Sequence, residues 1–383
     1  MRKKIMFFLC CLTFFCGALP VAVFGQDLQS FGQEPESLVE ELDFSDIGDF
    51  LKNTKETENI SFGEMVEALI SGEELPYEKV GDWLKDTLLQ GIQENRTLFL
   101  EILVLSLAFS ILKNFAKSFS NTYITEVSFL IVYCFFMALL LKSFFELNTT
   151  VVTTVENMLE FMKIFLPTYC LAISFTLNIN SSGAVYSIIF GAIFLIEWML
   201  RYLLMPFIQI YVLVEFLNHL TEEERFKRLA ELIYEGVKMV LKLSASFILG
   251  INIIQGMVAP AIDMLSGNSI AKTVQMLPGI GNVMSGMGQI FISSGIVIKN
   301  CVGAAALVIL VLLCAVPFLK MGVMALLYKF LAAVLEPVAD KRISGGMSGI
   351  AGGAVLYLKV ISTCMMLFFL TIALCSAATN LNV

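Results

Sequence analysis

From residue 184 to residue 217 the chain runs through 34 nearly unbroken apolar residues. As one helix this stretch would reach about 51 Å, against a bilayer hydrocarbon core of about 30 Å. Two short spans turning near Arg201 and Pro206 fit better, because a charge and a helix-breaking proline coincide there. The whole chain points the same way. Hydrophobic residues make up 57% and charged residues 15%, with mean hydropathy +0.82, outside the range of water-soluble domains. This predicts an all-α polytopic membrane protein.

Charge tests the two-span reading. Two crossings place residues 218–236, with Arg225, Lys227 and Arg228 and with Lys238 beside them, in the cytoplasm, as the positive-inside rule requires; a single crossing would export them. Thr221-x-x-Glu224 has the form of a capping box, and Phe226, Leu229, Ile233 and Val237 make one apolar stripe. A cytoplasmic amphipathic helix is therefore expected over 221–236. It would either meet a cytosolic partner or rest on its own membrane body. Other spans are expected at 98–115, 124–145, 161–179 and 237–258, with Lys113 and Lys117 marking the first cytoplasmic turn.

Three landmarks recur in order. Leu166-Pro167 returns as Leu277-Pro278, Ser181-Ser182-Gly183 as Ser293-Ser294-Gly295 and Pro206-Phe207 as Pro317-Phe318, at offsets of 111, 112 and 111 residues; Lys242 finds its echo in Lys359, 117 residues on. A repeat of this length has the size of a multi-helix bundle half. Two parallel repeats, 160–258 and 271–378, each of about four transmembrane helices, are expected after two leading helices in 98–145. The second copy would span 276–298, 301–316, 318–335 and 353–374, for about ten spans in all. Its first segment is glycine-rich and is either a span or a re-entrant segment.

The N-terminus is of another kind. Residues 1–25 have the basic, apolar and small-residue parts of a signal peptide, with cleavage expected after Gly25. Residues 26–96 carry 18 acids and 5 bases, a net of −13, so an acidic exported segment is expected over 26–97, unsuited to nucleic acid. Ser61-x-x-Glu64 is a second capping box, and Val80, Trp83, Leu84 and Leu88 recur at helical spacing. Such a piece is marginal alone and is expected to dock on a partner or on the membrane body, with Trp83 in the contact stripe.

No enzyme site, metal spacing or cofactor motif emerges. The single histidine, His219, has no matching ligand spacing, and the cysteines outside the signal all fall within apolar stretches, as small buried hydrophobes do. Without a phosphate-binding loop, any energy source is another protein. The charged residues at membrane depth are Glu197 and Arg201, four apart and placed to pair, and the repeat-related Lys242 and Lys359, placed to face a shared cavity; Glu101, Glu215 and Asp263 are looser candidates. Each either belongs to a polar pathway or snorkels to an interface. Gly345, Gly349 and Gly353 form Gly-x-x-x-Gly steps, while Pro278, Gly279 and Gly281 interrupt the start of a span. Close helix packing and a broken, pathway-lining helix are the two readings.

The signal followed by an acidic exported segment, the stretch Leu277-Pro278-Gly279-Ile280-Gly281, and the block Leu335-Glu336-Pro337-Val338-Ala339-Asp340 leading into Gly345-Gly346 together resemble the stage III sporulation protein AE family. The resemblance implies a permease-like component of the mother-cell-to-forespore channel apparatus of endospore-forming bacteria, in the mother-cell membrane with its N-terminal segment in the intermembrane space. Implied partners are other proteins of the same operon: a cytoplasmic secretion-type ATPase, ring-forming proteins and small membrane proteins, together with a forespore-membrane channel partner. The residues leave three roles open: conducting part, autonomous secondary transporter, or non-conducting scaffold.

Overall fold

The computed structural model describes residues 42–54, 57–58, 60–71, 96–116, 122–174, 179–220, 225–266, 281–337 and 341–378, with 89, 91 and 93. Two short helices, α1 (Ser45–Asn53) and α2 (Phe62–Ser71), precede α3 (Arg96–Ala116). Long helices follow: α4 (Thr122–Ser174), α5 (Ile179–Met199), a π turn (Leu200–Leu204), α6 (Met205–Leu220), α7 (Lys227–Ser266), α8 (Gly281–Leu335) and α9 (Lys341–Ala378). There is no strand among the described residues. Among the described residues, four stretches are long and apolar enough to cross a membrane: Leu130–Ser174, Ser187–Leu220, Ser294–Leu335 and Lys341–Ala373.

These helices are longer and fewer than the expected spans. The expected spans 124–145 and 161–179 share α4, which has 53 residues, up to its end at Ser174. The three expected over 276–335 share α8, which has 55 residues from Gly281 and runs without a break past Lys299 and through Pro317. The turn expected near Arg201 and Pro206 is not made. Met199 and Met205, flanking the π turn, both keep right-handed helical backbone, so α5 and α6 form one continuous rod. The wide turn lies immediately before Pro206, whose ring would otherwise clash with the carbonyl four residues back, and it absorbs the misfit without reversing the chain. Likewise the expected amphipathic helix 221–236 and span 237–258 are one helix, α7, from Lys227 onward.

The helices alternate in direction. At one end of the bundle Tyr133 of α4 donates to the Phe216 carbonyl of α6 (3.0 Å); farther along, Phe99 of α3 meets Tyr328 of α8. At the other end Tyr169 of α4 reaches the Ile372 carbonyl of α9 (3.4 Å). Basic residues mark the turns at the first end, Arg225, Lys227 and Arg228 before and within α7, Lys341 and Arg342 at the start of α9. Helix α9 is central and packs on α4, α6, α7 and α8.

The acidic N-terminal helices dock on the opposite half. Asp43 accepts hydrogen bonds from the Ser45 amide (2.9 Å) and hydroxyl (2.6 Å) at the start of α1, which hold its carboxyl below the usual carboxylate range. Ser61 caps α2 through the Glu64 amide (3.4 Å). Ile47, Phe50, Leu51, Phe62 and Val66 are buried. Phe50 meets Phe161 and Phe62 meets Phe165, both on α4, and Thr168 of α4 donates to the Asp43 carbonyl (3.2 Å). The short helices thus bury their apolar faces on the long bundle.

Candidate functional site: a polar layer within the bundle

The glycines of α9 form a groove that receives α6. A β-carbon at Gly349 would lie 2.7 Å from the Glu215 β-carbon, one at Gly352 would lie 2.5 Å from the Tyr211 hydroxyl, and one at Gly345 would overlap the His219 ring. Three polar side chains of α6, four residues apart, therefore face the backbone of α9. This is small-residue helix packing, with polar rather than aliphatic knobs. His219 Nδ1 lies 2.8 Å from the Glu215 carbonyl and 3.5 Å from its carboxylate; both partners accept, so this nitrogen carries a proton. Asn218 accepts from the Phe226 amide (2.9 Å) and ties α6 to the start of α7.

Farther along the bundle, polar groups from four helices meet at one level. Asn148 Oδ1 of α4 accepts from Tyr357 of α9 (2.6 Å) and from Gln209 of α6 (3.0 Å), and the Ser143 hydroxyl of α4 bonds that of Tyr328 of α8. Phe144 stacks on Tyr357 with ring centroids 5.0 Å apart. Nearer the other end, Lys299 of α8 is fully buried and donates to the Ser376 carbonyl (3.2 Å), while Ser376 donates to Asn300 (2.7 Å). Sequence reasoning missed these residues. Asn148 fell in a gap between expected spans and Lys299 at a boundary between two, where polarity signals nothing; their only signal was isolated polarity within apolar surroundings.

The charged candidates fall into two groups. Glu197 and Arg201 do not pair with each other. Glu197 bonds Lys163 (2.7 Å) and Arg201 lies 3.9 Å from Glu156, both partners on α4. The π turn containing Arg201 breaks the stacking that spacing of four would give on an α-helix, and an adjacent helix offers better partners. These pairs are open at the surface, so Lys163→Met is expected to change thermal stability in detergent by no more than about 1 kcal/mol. Lys242 and Lys359, by contrast, share surroundings. Lys238 and Lys359 lie 4.7 and 5.8 Å from the centre of the Tyr234 ring. Glu235, bonded to Lys238 at 2.5 Å, is held below the usual carboxylate range, chiefly by that bond and also by the charges of Lys242 and Lys359.

Of the remaining candidates, Phe226 and Leu229 are exposed and Ile233 is half-buried, because α7 meets the bundle through Ala230, Val237 and Leu241. Gly281 opens α8. Glu101 is exposed on α3. Trp83, Pro278 and Gly279 lie outside the described residues, as does the Asp263 side chain. Cys170, Cys301, Cys314 and Cys364 are buried and Cys134 is exposed, and none of these five is in a disulfide. Among the described residues no group of histidine, cysteine, aspartate and glutamate is placed to hold a metal.

Long apolar helices around buried polar contacts define a multi-pass membrane protein. Its family follows from comparison: the stage III sporulation protein AE family model matches residues 60–379, and the chain belongs to that family. It is 24% identical over 311 residues to the Stage III sporulation protein AE of Bacillus subtilis (strain 168), covering 79% of this chain and 76% of that protein. No solved structure matches. The family assigns the protein a role in sporulation.

Proposed function

We propose that this protein is a permease-like membrane component of the mother-cell-to-forespore channel complex that supports forespore development. The observation that carries the reading is the layer of Asn148, Gln209 and Tyr357 among long apolar helices. Polar groups at membrane depth are costly and are kept where a pathway needs them. The hairpin of α5–α6 with α7 and that of α8 with α9 would be the two repeats, each reduced to two crossings. With α3 and α4 this makes six crossings, with the basic turns in the cytoplasm as the positive-inside rule favours. Residues 1–25 would be the signal peptide, and the acidic segment would lie in the intermembrane space.

The partners in this reading are a cytoplasmic ATPase, ring-forming proteins and small membrane proteins of the same operon, with a channel protein of the forespore membrane. Catalysis would reside in the ATPase. Affinity pull-down of the tagged chain, crosslinked in sporulating cells, is expected to recover these proteins. Recovery of the chain alone at good yield would replace the proposal with an autonomous transporter. Gln209→Leu is expected to reduce late forespore gene expression several-fold at unchanged protein level, since it removes one donor to Asn148 at a cost of about 1–3 kcal/mol. Normal expression would leave a scaffold as the better reading.

A further inference from the structure

We propose that the cleft at the π turn between α5 and α6 binds the headgroup of a zwitterionic aminophospholipid, with the phosphate on Arg201 and the primary ammonium on Glu197. The cleft has a volume of about 390 Å³ and is lined by Phe194, Glu197, Trp198, Arg201 and Tyr202. On a regular α-helix residues 194, 198 and 202 would stand in one row and 197 and 201 in the next. Here the Met205 amide bonds the Leu200 carbonyl, five residues back. This wider turn rotates Arg201 and Tyr202 out of the rows that lead into it and opens the gap, as π turns at functional sites do.

Three rings frame this cleft, and all of them are open. Phe194, Trp198 and Tyr202 are 65%, 53% and 67% exposed, so they fill no core. They suit the glycerol and upper acyl chains of a lipid, since tryptophan and tyrosine settle at the bilayer interface. Depth agrees. Arg201 stands 19 residues before Leu220, about 28 Å from the basic turn that follows α6, and helical side chains lean toward the helix N-terminus, here away from that turn. The guanidinium therefore lies about one hydrocarbon thickness from the basic turn, at the level of the opposite headgroups.

Charge selects the headgroup. Glu197 Oε2 bonds Lys163 of α4 (2.7 Å), and Arg201 Nη1 lies 3.9 Å from Glu156 of α4. These two cations and two carboxylates cancel, so an anionic headgroup gains no net attraction, whereas a zwitterion meets both signs at once. Both lining groups keep capacity for it. A guanidinium has five donors, of which Arg201 directs one, at long range, to Glu156, and Glu197 keeps Oε1 as an acceptor. The guanidinium fork matches phosphate, and a primary ammonium donates to a carboxylate. Residues four apart on a helix are separated by about 6 Å along its axis, a gap that a phosphate and an amine joined by two carbons can bridge. The site requires only that this face of α5 meets lipid, and it is independent of the channel reading.

Fluorescence quenching by brominated lipid tests it. The chain has 2 tryptophans, so in Trp83→Phe the signal comes from Trp198, in the wall of the cleft. This full-length variant is reconstituted in phosphatidylcholine vesicles, whose quaternary amine has no proton to donate. Graded amounts of phosphatidylethanolamine or phosphatidylglycerol, brominated high on the acyl chains, are then included. The ethanolamine lipid is expected to quench at about fivefold lower mole fraction than the glycerol lipid, the factor of one net hydrogen bond. Glu197→Gln in the same background should remove or reverse that preference, and Arg201→Gln should raise the mole fraction that either lipid requires. Equal quenching by the two lipids in Trp83→Phe, which carries no change at the site, would overturn the inference. So would a preference retained in Glu197→Gln, unchanged curves in Arg201→Gln, or quenching by neither lipid.

Discussion

Gly353→Leu is expected to leave little folded protein in the membrane. A β-carbon at this position would lie 2.5 Å from Val212 Cγ2 of α6 and 2.9 Å from Phe144 Cε2 of α4, inside van der Waals contact on two sides. Neither neighbour has room to withdraw. Val212 and Phe144 are each 1% exposed, and the Phe144 ring is stacked on Tyr357, whose hydroxyl is held by Asn148. Relief therefore requires α9 to move away from α4 and α6 together, breaking the polar layer as it goes. Overpacking a well-ordered core costs about 1–3 kcal/mol, and a leucine wedged between three helices belongs at or above the top of that range. Gly353→Ala should show a smaller loss in the same direction. At Gly303 the nearest atoms are at 3.4 and 3.5 Å, at the far end of the Tyr169 side chain, and at Gly191 nothing lies within 4 Å. Alanine at these two positions should be tolerated. Membrane-fraction protein levels and thermal unfolding in detergent report the series; wild-type behaviour of Gly353→Leu would show that α9 does not seat on α6 as described.

The glycine groove was legible because spacing of four is a statement about one helix face, and a face has to meet something. The helical, membrane-embedded class was legible for the same kind of reason: about 20 apolar residues in a row have few other uses. Span boundaries were not. Pro206 and Pro317 look like stops in a one-dimensional reading, yet a π turn before Pro206 and burial of Pro317 in the bundle allow both rods to continue. The polar stretch after Phe145 looks like a loop between spans, because counting charges in a window ignores which face they occupy. On α4 those residues share one outward face, while Val151, Val155, Met158 and Leu159 of the same stretch are buried. Partners across helices were illegible altogether, and for that reason Glu197 was matched with Arg201 in place of Lys163. Two errors compensated. Merging two expected spans in α4 and two in α5–α6 removes an even number of crossings, so under the proposed six-crossing arrangement the basic turn before α7 would keep the side that its charge demands.

Phe165→Ala is expected to loosen α1 and α2 on α4 while leaving the long bundle intact. These helices have 9 and 10 residues, shorter than the roughly 12–15 at which an isolated helix becomes even marginal in water. Their order depends on docking. Phe165 is fully buried and lies at the middle of an aromatic stack, 6.3 Å from Phe62 of α2, 5.7 Å from Phe161 and 5.0 Å from Tyr169. Truncating such a ring costs about 3–5 kcal/mol. On the bundle side that loss is spread over helices of 38 to 55 residues packed on one another. On the other side it removes the ring contact that ties α2 to α4, while α2 keeps its packing on α8. Hydrogen exchange should therefore rise across 45–71 and stay protected in α8 and α9, and limited proteolysis should cut the N-terminal segment first. Glu67→Ala, which removes an exposed charge from α2, should change neither. Unaltered protection of 45–71 in Phe165→Ala would mean that the packing of α2 on α8, with the contacts of Phe50 with Phe161 and of Thr168 with Asp43, suffices alone. Selective loosening would mean that the acidic helices are a detachable cover over an apolar surface, with the aromatic cluster on α4 as the contact that the packing of α2 on α8 cannot replace.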